Sequence, residues 1–230
     1  NNCKYLGIDG IIAIGGDGTF RGARDLSKNG VNTIGIPGTI DNDIACSHYS
    51  IGFDTAANTA IEAIDKLADT MQSHQRTSVV EIMGRNAGHL AIYVGISVGA
   101  TAIIIPERPF DFQRDVVEHI REGQYRGKHH HLIIVAEGVG NTNEIAQRCR
   151  DELGLDTRVT IIGHVQRGGS PSARDRVMAT RMGHRAVEEL LAGGTNLIVC
   201  YRNSQITTLP IDEALEMTKD LDEYMYRVAQ

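Results

Sequence analysis

The sequence predicts an α/β protein of two Rossmann-like βα lobes with mainly parallel sheets. Three observations predict it. Short apolar runs rich in β-branched residues recur along the chain, and most do not alternate with polar residues, as in strands buried on both faces of a parallel sheet. Stretches with apolar residues at helical spacing lie between them, the βα alternation of a parallel sheet. Seven runs with intervening helices suggest two packed lobes, and 230 residues suffice for both.

In chain order the expected strands are GIIAIGG (10–16), NTIGIPG (32–38), TSVVEIMG (77–84), TAIIIPE (101–107), HLIIVAEG (131–138), VTIIGH (159–164) and NLIVCY (196–201). A helix over 54–71 carries Ala57, Ala60, Ile61, Ile64, Leu67, Ala68 and Met71 on one stripe, with Asp54 as its N-cap. The stretch 90–106 reads as a buried helix running into a buried strand; it is short for a membrane span, broken by glycines, and ends in Pro106. A helix over 111–125 buries Val116, Val117 and Ile120. Ser172 to Asp175 resembles a capping box opening a helix to about 192, stopped by Gly193 and Gly194. The tail 211–228 reads as helical.

Composition narrows the function. Apolar residues make up 41% and Trp is absent, so the cores are aliphatic. The net charge of −6 argues against a general nucleic-acid binder. Four dispersed cysteines without a CxxC pair read as reduced thiols in a cytoplasmic protein. KHHH at 128–131 reads as a polar strand start, because adjacent strand residues point to opposite faces.

Two turns carry the chemistry. In IIAIGGDGTF a strand ends at Gly15, Gly16 and Gly18, which let backbone approach a ligand, and the next helix offers free N–H groups to an anion. Asp17 stands at the strand's C-terminal end, where open α/β sheets bind ligands. A carboxylate beside phosphates suits Mg²⁺. The same turn taken alone also fits a plain βα connection with Asp capping the helix. In PGTIDND a second strand end carries Asp41 and Asp43. Asp41 could take a proton from a substrate hydroxyl while Asp17 holds the metal. A phosphorylated substrate then needs cations, and Arg76, Arg85, Arg158 and Arg167 sit at element ends. EIMGRNAG repeats the strand–glycine–helix pattern with Arg85. Glu137 ends another strand, and His164 precedes a glycine turn, where it suits a packed core histidine as well as a ligand contact.

The motifs GGDGT, PGTIDND, HQR, EIMGR, AEG, TRVTIIGHVQRGGSP and DR occur in the order found in ATP-dependent 6-phosphofructokinases of the bacterial type, which the chain resembles over essentially its whole length. The resemblance implies phosphoryl transfer from MgATP to the 1-hydroxyl of fructose 6-phosphate. It implies that Asp17 binds Mg²⁺ on ATP, with Gly16, Gly18, Thr19 and Gly22 at the nucleotide, and that Asp41 is the base. Thr39, Asp43 and Arg85 would line the transfer site. Met83, Gly84, Arg85, Glu137, His164 and Arg167 would contact the sugar phosphate. Arg76 and Arg158 would reach a neighbouring subunit's site, implying a homotetramer. Pyrophosphate-using relatives carry Asp and Lys where this chain has Gly18 and Gly38, which favours ATP. Arg126 and Lys128 suit an effector phosphate, although Ala68 and Thr101 stand where the family's effector site has charged residues.

The resemblance also implies lobes of 1–52 plus 166–212 for nucleotide and 53–165 plus 213–230 for sugar phosphate, with the active-site cleft between them. The chain starts just before GIIAIGG, so part of the nucleotide pocket is expected to lie outside these residues, with weak ATP binding by this piece alone. A pyrophosphate-dependent enzyme and a non-catalytic sugar-phosphate-binding or regulatory subunit are the alternatives. A lipid or NAD kinase explains GGDGT but neither PGTIDND nor GHVQRGG.

Overall fold

Each β-branched run closes into a strand, and the connecting stretches coil. The computed structural model describes residues 2–74 and 76–229. Its elements run α1 (Asn2–Tyr5), β1 (Gly10–Gly15), α2 (Asp17–Lys28), β2 (Asn32–Pro37), α3 (Phe53–His74), β3 (Thr77–Ile82), α4 (His89–Ser97), β4 (Ala102–Ile104), α5 (Glu118–Tyr125) and β5 (His131–Ala136). They continue with α6 (Thr142–Leu153), β6 (Thr157–Ile161), α7 (Ala173–Leu191), β7 (Leu197–Arg202), β8 (Gln205–Pro210), α8 (Ile211–Glu216) and α9 (Glu223–Ala229). A π-helical turn, Gln113–Val117, leads directly into α5.

The chain divides into two units, Asn1–Asp54 with Pro171–Asp220, and Thr55–Ser170 with Leu221–Gln230. The first holds a sheet in the order β1-β2-β7-β8. Its first three strands are parallel, and β8 returns antiparallel to β7. Phe20 and Ala23 of α2, Ile198 and Cys200 of β7, and Ile211 and Ala214 of α8 form one core with Ile44 and Cys46. The second unit holds an all-parallel sheet in the order β4-β5-β3-β6. Val79, Ile104, Ile133 and Val135 pack there against Phe112, Val116, Val117 and Ile120, and against Ile145, Ala146 and Cys149 of α6. Among the described residues, no helix is long and apolar enough to cross a membrane.

Four sequence expectations change. Helix α3 starts at Phe53, so Asp54 lies inside its first turn, where a carboxylate still suits the free N–H groups, and is not the cap. The tail is two helices, because Met217 turns extended at ψ 152° and Asp222 Oδ1 accepts from Met225 N (2.9 Å) to start α9 afresh. Strand β8 was not expected: Asn203 and Ser204 both take positive φ (48° and 64°), the tight turn that joins twisted antiparallel strands. Of KHHH only His131 enters a strand, and it is buried. The expected capping box has its first half in place, with Ser172 Oγ accepting from Asp175 N at 3.2 Å.

Candidate active site

In the first unit, β1 and β2 run parallel with Gly15 opposite Pro37, so their C-terminal tips adjoin. Gly38 N donates to Gly15 O (3.0 Å) and extends that contact past the strands. The β1 tip turns tightly: a Cβ on Gly15 would lie 2.3 Å from Thr19 Oγ1. Gly16 caps α2, Asp17 is its first residue, and Asp17, Gly18 and Thr19 are exposed. A Cβ on Gly18 or Gly22 would meet nothing within 4 Å, which leaves room beside the helix's free N–H groups.

At the β2 tip, Thr39 N donates to Ser50 Oγ (2.8 Å), and Thr39 Oγ1 accepts from Asp41 N (3.3 Å). Asn42 takes φ 51°, which turns the chain between Asp41 and Asp43, both half-buried. Ile44 is buried in the core shared with Phe20 of α2, so apolar packing fixes the second turn against the helix that starts at the first. Behind it, the buried Cys46 and Cys200 thiols interact, which lowers the Cys46 pKa and raises that of Cys200, and Cys200 Sγ donates to Ile198 O (3.6 Å). The sequence expectation that Asp17 and Asp41 stand on neighbouring strand ends therefore holds. For Mg²⁺, the donor chemistry fits one carboxylate plus a ligand's phosphate oxygens and water, the set this ion favours. Among the described residues no cluster of three His, Cys, Asp or Glu offers a cage built from the protein alone.

In the second unit, β3 lies between β5 and β6, with Ile82 opposite Ala136 and Glu81 opposite Ile161. Three motifs thereby reach one sheet end. Met83 and Gly84 leave β3 buried; Gly84 has φ 153°, and a Cβ there would sit 2.6 Å from Ala87 O. Arg85 follows in the left-handed region at φ 57°, exposed. Glu137, just past β5, holds this turn: its Oε1 accepts from Gly84 N (3.2 Å) and from Arg85 N. Gln166 holds it from the third motif, accepting from Met83 N at 2.8 Å. His164 and Arg167 lie on the same short 3₁₀ turn, Gly163–Arg167, and both are exposed. His164 is thus not a packed core histidine.

Arg76 and Arg158 are brought together by one carboxylate: Arg76 Nε lies 2.6 Å from Asp156 Oδ2, and Arg158 lies 3.4 Å from Asp156 Oδ1. The ion pairs hold the Asp156 pKa below the ordinary carboxylate value, the hydrogen bond from Arg76 contributing most. Arg126 pairs with Glu122 on α5, while half-buried Lys128 lies 3.5 Å from Gly99 O with its pKa lowered by desolvation.

Sequence reasoning missed Gln166, Asp156 and Glu107, whose Oε1 accepts from Gly88 N (2.7 Å). Gln166 sits inside a motif already singled out but bears no charge, and Asp156 lies two residues before Arg158 but outside any glycine turn singled out.

Comparison with known proteins places the chain in a family. A profile of the family described as Phosphofructokinase matches residues 1–190. The ATP-dependent 6-phosphofructokinase 1 of Clostridium perfringens is 52% identical over 226 residues, covering 98% of this chain and 70% of that protein. The structure of phosphofructokinase from Saccharomyces cerevisiae superposes with a TM-score of 0.87 at 32% identity, over 98% of this chain and 34% of the yeast chain. A pyrophosphate-dependent phosphofructokinase from Nitrosospira multiformis shares the fold, with a TM-score of 0.86 at 21% identity over 96% of this chain and 63% of that one. With the profile spanning most of its length and a relative at 52% identity, the chain belongs to the phosphofructokinase family.

Proposed function

We propose that this chain performs ATP-dependent 6-phosphofructokinase chemistry, moving a phosphoryl group from MgATP to the 1-hydroxyl of fructose 6-phosphate in glycolysis, in the cytoplasm. The observation that carries the reading is Asp17 and Asp41 on adjoining strand tips in a chain half identical to enzymes so named. Asp41 takes the hydroxyl proton as the oxygen attacks, with Thr39 fixing the backbone beneath it. Arg85 offsets charge on the moving phosphoryl. Met83, Gly84, Glu137, His164 and Arg167 hold the sugar phosphate. Gly16, Gly18, Thr19 and Gly22 line the donor, and Asp17 would hold Mg²⁺, which neutralises phosphate charge when bound. Most of the catalysis is positioning and charge neutralisation.

Arg76 and Arg158, gathered on Asp156, serve the 6-phosphate of a neighbouring subunit in a homotetramer. Support comes from β6, an edge strand whose exposed Ile161 and nearby Val165 (54% and 65%) offer apolar surface beside Arg158. Arg126 and Lys128 remain the proposed seat of an effector phosphate.

Pyrophosphate is the competing donor. The open space at Gly18 supports ATP, because an Asp there would crowd and repel a nucleotide's inner phosphate. The test is fructose 6-phosphate-dependent release of ADP, run beside the same assay with pyrophosphate. Turnover with ATP and not pyrophosphate is expected. Turnover only with pyrophosphate reverses the donor, and sugar phosphate bound without turnover on either donor favours a regulatory subunit.

A further inference from the structure

The segment after α8 holds a lysine that none of the roles above uses. Met217 turns the chain extended, and two residues on Lys219 Nζ donates to Ser47 O at 2.9 Å. Ser47 is fully buried and is the knot of the loop that follows Asp43: its Oγ accepts from Tyr201 N (3.0 Å) and donates to Tyr49 O (2.7 Å). His48 N donates to Tyr201 O (2.8 Å) beside it. The loop is thus tied on one side to the end of β7 and on the other to Lys219.

We propose that Lys219 is a positioning residue for phosphoryl transfer, its ammonium fixing the Asp41–His48 loop through Ser47 and setting the charge beside Asp43. This rests on the phosphofructokinase reading of that loop. Removing an ammonium from water is costly unless partners compensate. Burial here lowers the Lys219 pKa to about 8, against the opposing pull of Asp43 and Cys46, the titratable groups whose charge it feels. An aliphatic side chain would fill the same place without that cost, so the charge itself is the feature that needs a use. Asp43 lies two residues beyond the base Asp41, and the Lys219 ammonium, which feels the Asp43 charge, offsets part of this loop's negative charge when phosphate oxygens arrive.

The test compares Lys219→Met and Lys219→Arg with wild type in three readouts: turnover of ATP with fructose 6-phosphate, amide hydrogen exchange across 41–48, and thermal melting. The Met variant is expected to fold with a similar melting temperature, to lose about 10- to 100-fold in kcat with KM for the sugar phosphate within about threefold, and to exchange faster in 41–48. It should also lack the fall in kcat that is expected of wild type above about pH 8 as Lys219 loses its proton. The Arg variant should recover most of kcat. A folded Met variant with wild-type kcat and loop exchange overturns the proposal. If wild type itself shows no turnover, the functional reading fails, and the exchange of 41–48 still decides whether Lys219 holds the loop.

Discussion

At the tips of β1 and β2 the acidic side chains stand on backbone held by apolar packing and a serine knot. At the tips of β3, β5 and β6 the backbone is bonded to carboxylate and carboxamide side chains, where the β2 tip uses hydroxyls. Ile44 against Phe20 fixes the first set, and open space surrounds Gly18 and Gly22. Glu137, Gln166 and Glu107 fix the second set, each accepting from a loop N–H. There Arg85 is held in a left-handed conformation that costs a non-glycine residue about 1–3 kcal/mol. The difference teaches a division of labour. Under the proposed function, a flexible polyphosphate donor is given room and a few charges, whereas a compact sugar phosphate meets loops pinned by side-chain hydrogen bonds. Arg85 is the exception, proposed for the transfer site yet carried by the second set.

The sharpest way to break this comparison is Asp41→Ser. It should cut kcat by about 10²–10⁴-fold, the usual worth of a positioned base, with little change in KM for fructose 6-phosphate. Steady-state rates check it, and near-normal turnover removes Asp41 from the role.

Next in size is an acid effect seated on β5 but at the opposite end from Glu137. His131 is buried at the strand's start, and neither ring nitrogen has a hydrogen-bond partner among the described residues. Burial first, then Lys128, His129 and His130, push its pKa down to about 4. A histidine depressed in the fold contributes full stability above its unfolded value of about 6.5 and loses it as pH falls toward 4, a span of ~3 kcal/mol. Urea midpoints at pH 7.5 and 5 should drop far less for His131→Leu than for wild type, with KM unchanged at neutral pH. Equal drops would place the acid sensitivity elsewhere.

Glu137→Ala should then leave Gly84 N and Arg85 N without their acceptor, a loss of about 1–3 kcal/mol. It should appear as a 10- to 100-fold rise in KM for fructose 6-phosphate, with a smaller change in kcat. Smallest is Arg126→Ala, which removes an exposed helix pair with Glu122 worth about 0.3–0.5 kcal/mol. Any larger change, in the response to a phosphorylated effector, would mark Arg126 as an effector contact.

The sequence exposed most of this fold because strands buried on both faces must be apolar throughout, and all seven such runs became strands. Strand β8 escaped because its polar, half-exposed QITTLP lacks that signature, and the Asn203–Ser204 turn was its one clear mark. Helix α6 was passed over although Gly154, at φ 66°, ends it as a glycine commonly ends a helix. Asp17, Asp41 and Arg85 could be singled out as candidates because each carries charge beside a glycine turn at a strand end, and the structure places all three at such ends. Gln166 and Glu107 were not, since they act on backbone N–H groups whose positions appear only once the strands are aligned. Asp54 misled for a local reason: Gly52 at φ 105° lets the helix begin one residue earlier.

The division of labour is tested most directly by calorimetric titration of fructose 6-phosphate into wild type, Asp17→Asn/Asp41→Ser and Glu137→Ala. The account predicts that the double variant binds the sugar within about threefold of wild type while its turnover is gone, and that Glu137→Ala binds at least ~10-fold more weakly. Lost sugar binding in the double variant, or unchanged binding in Glu137→Ala, would contradict it.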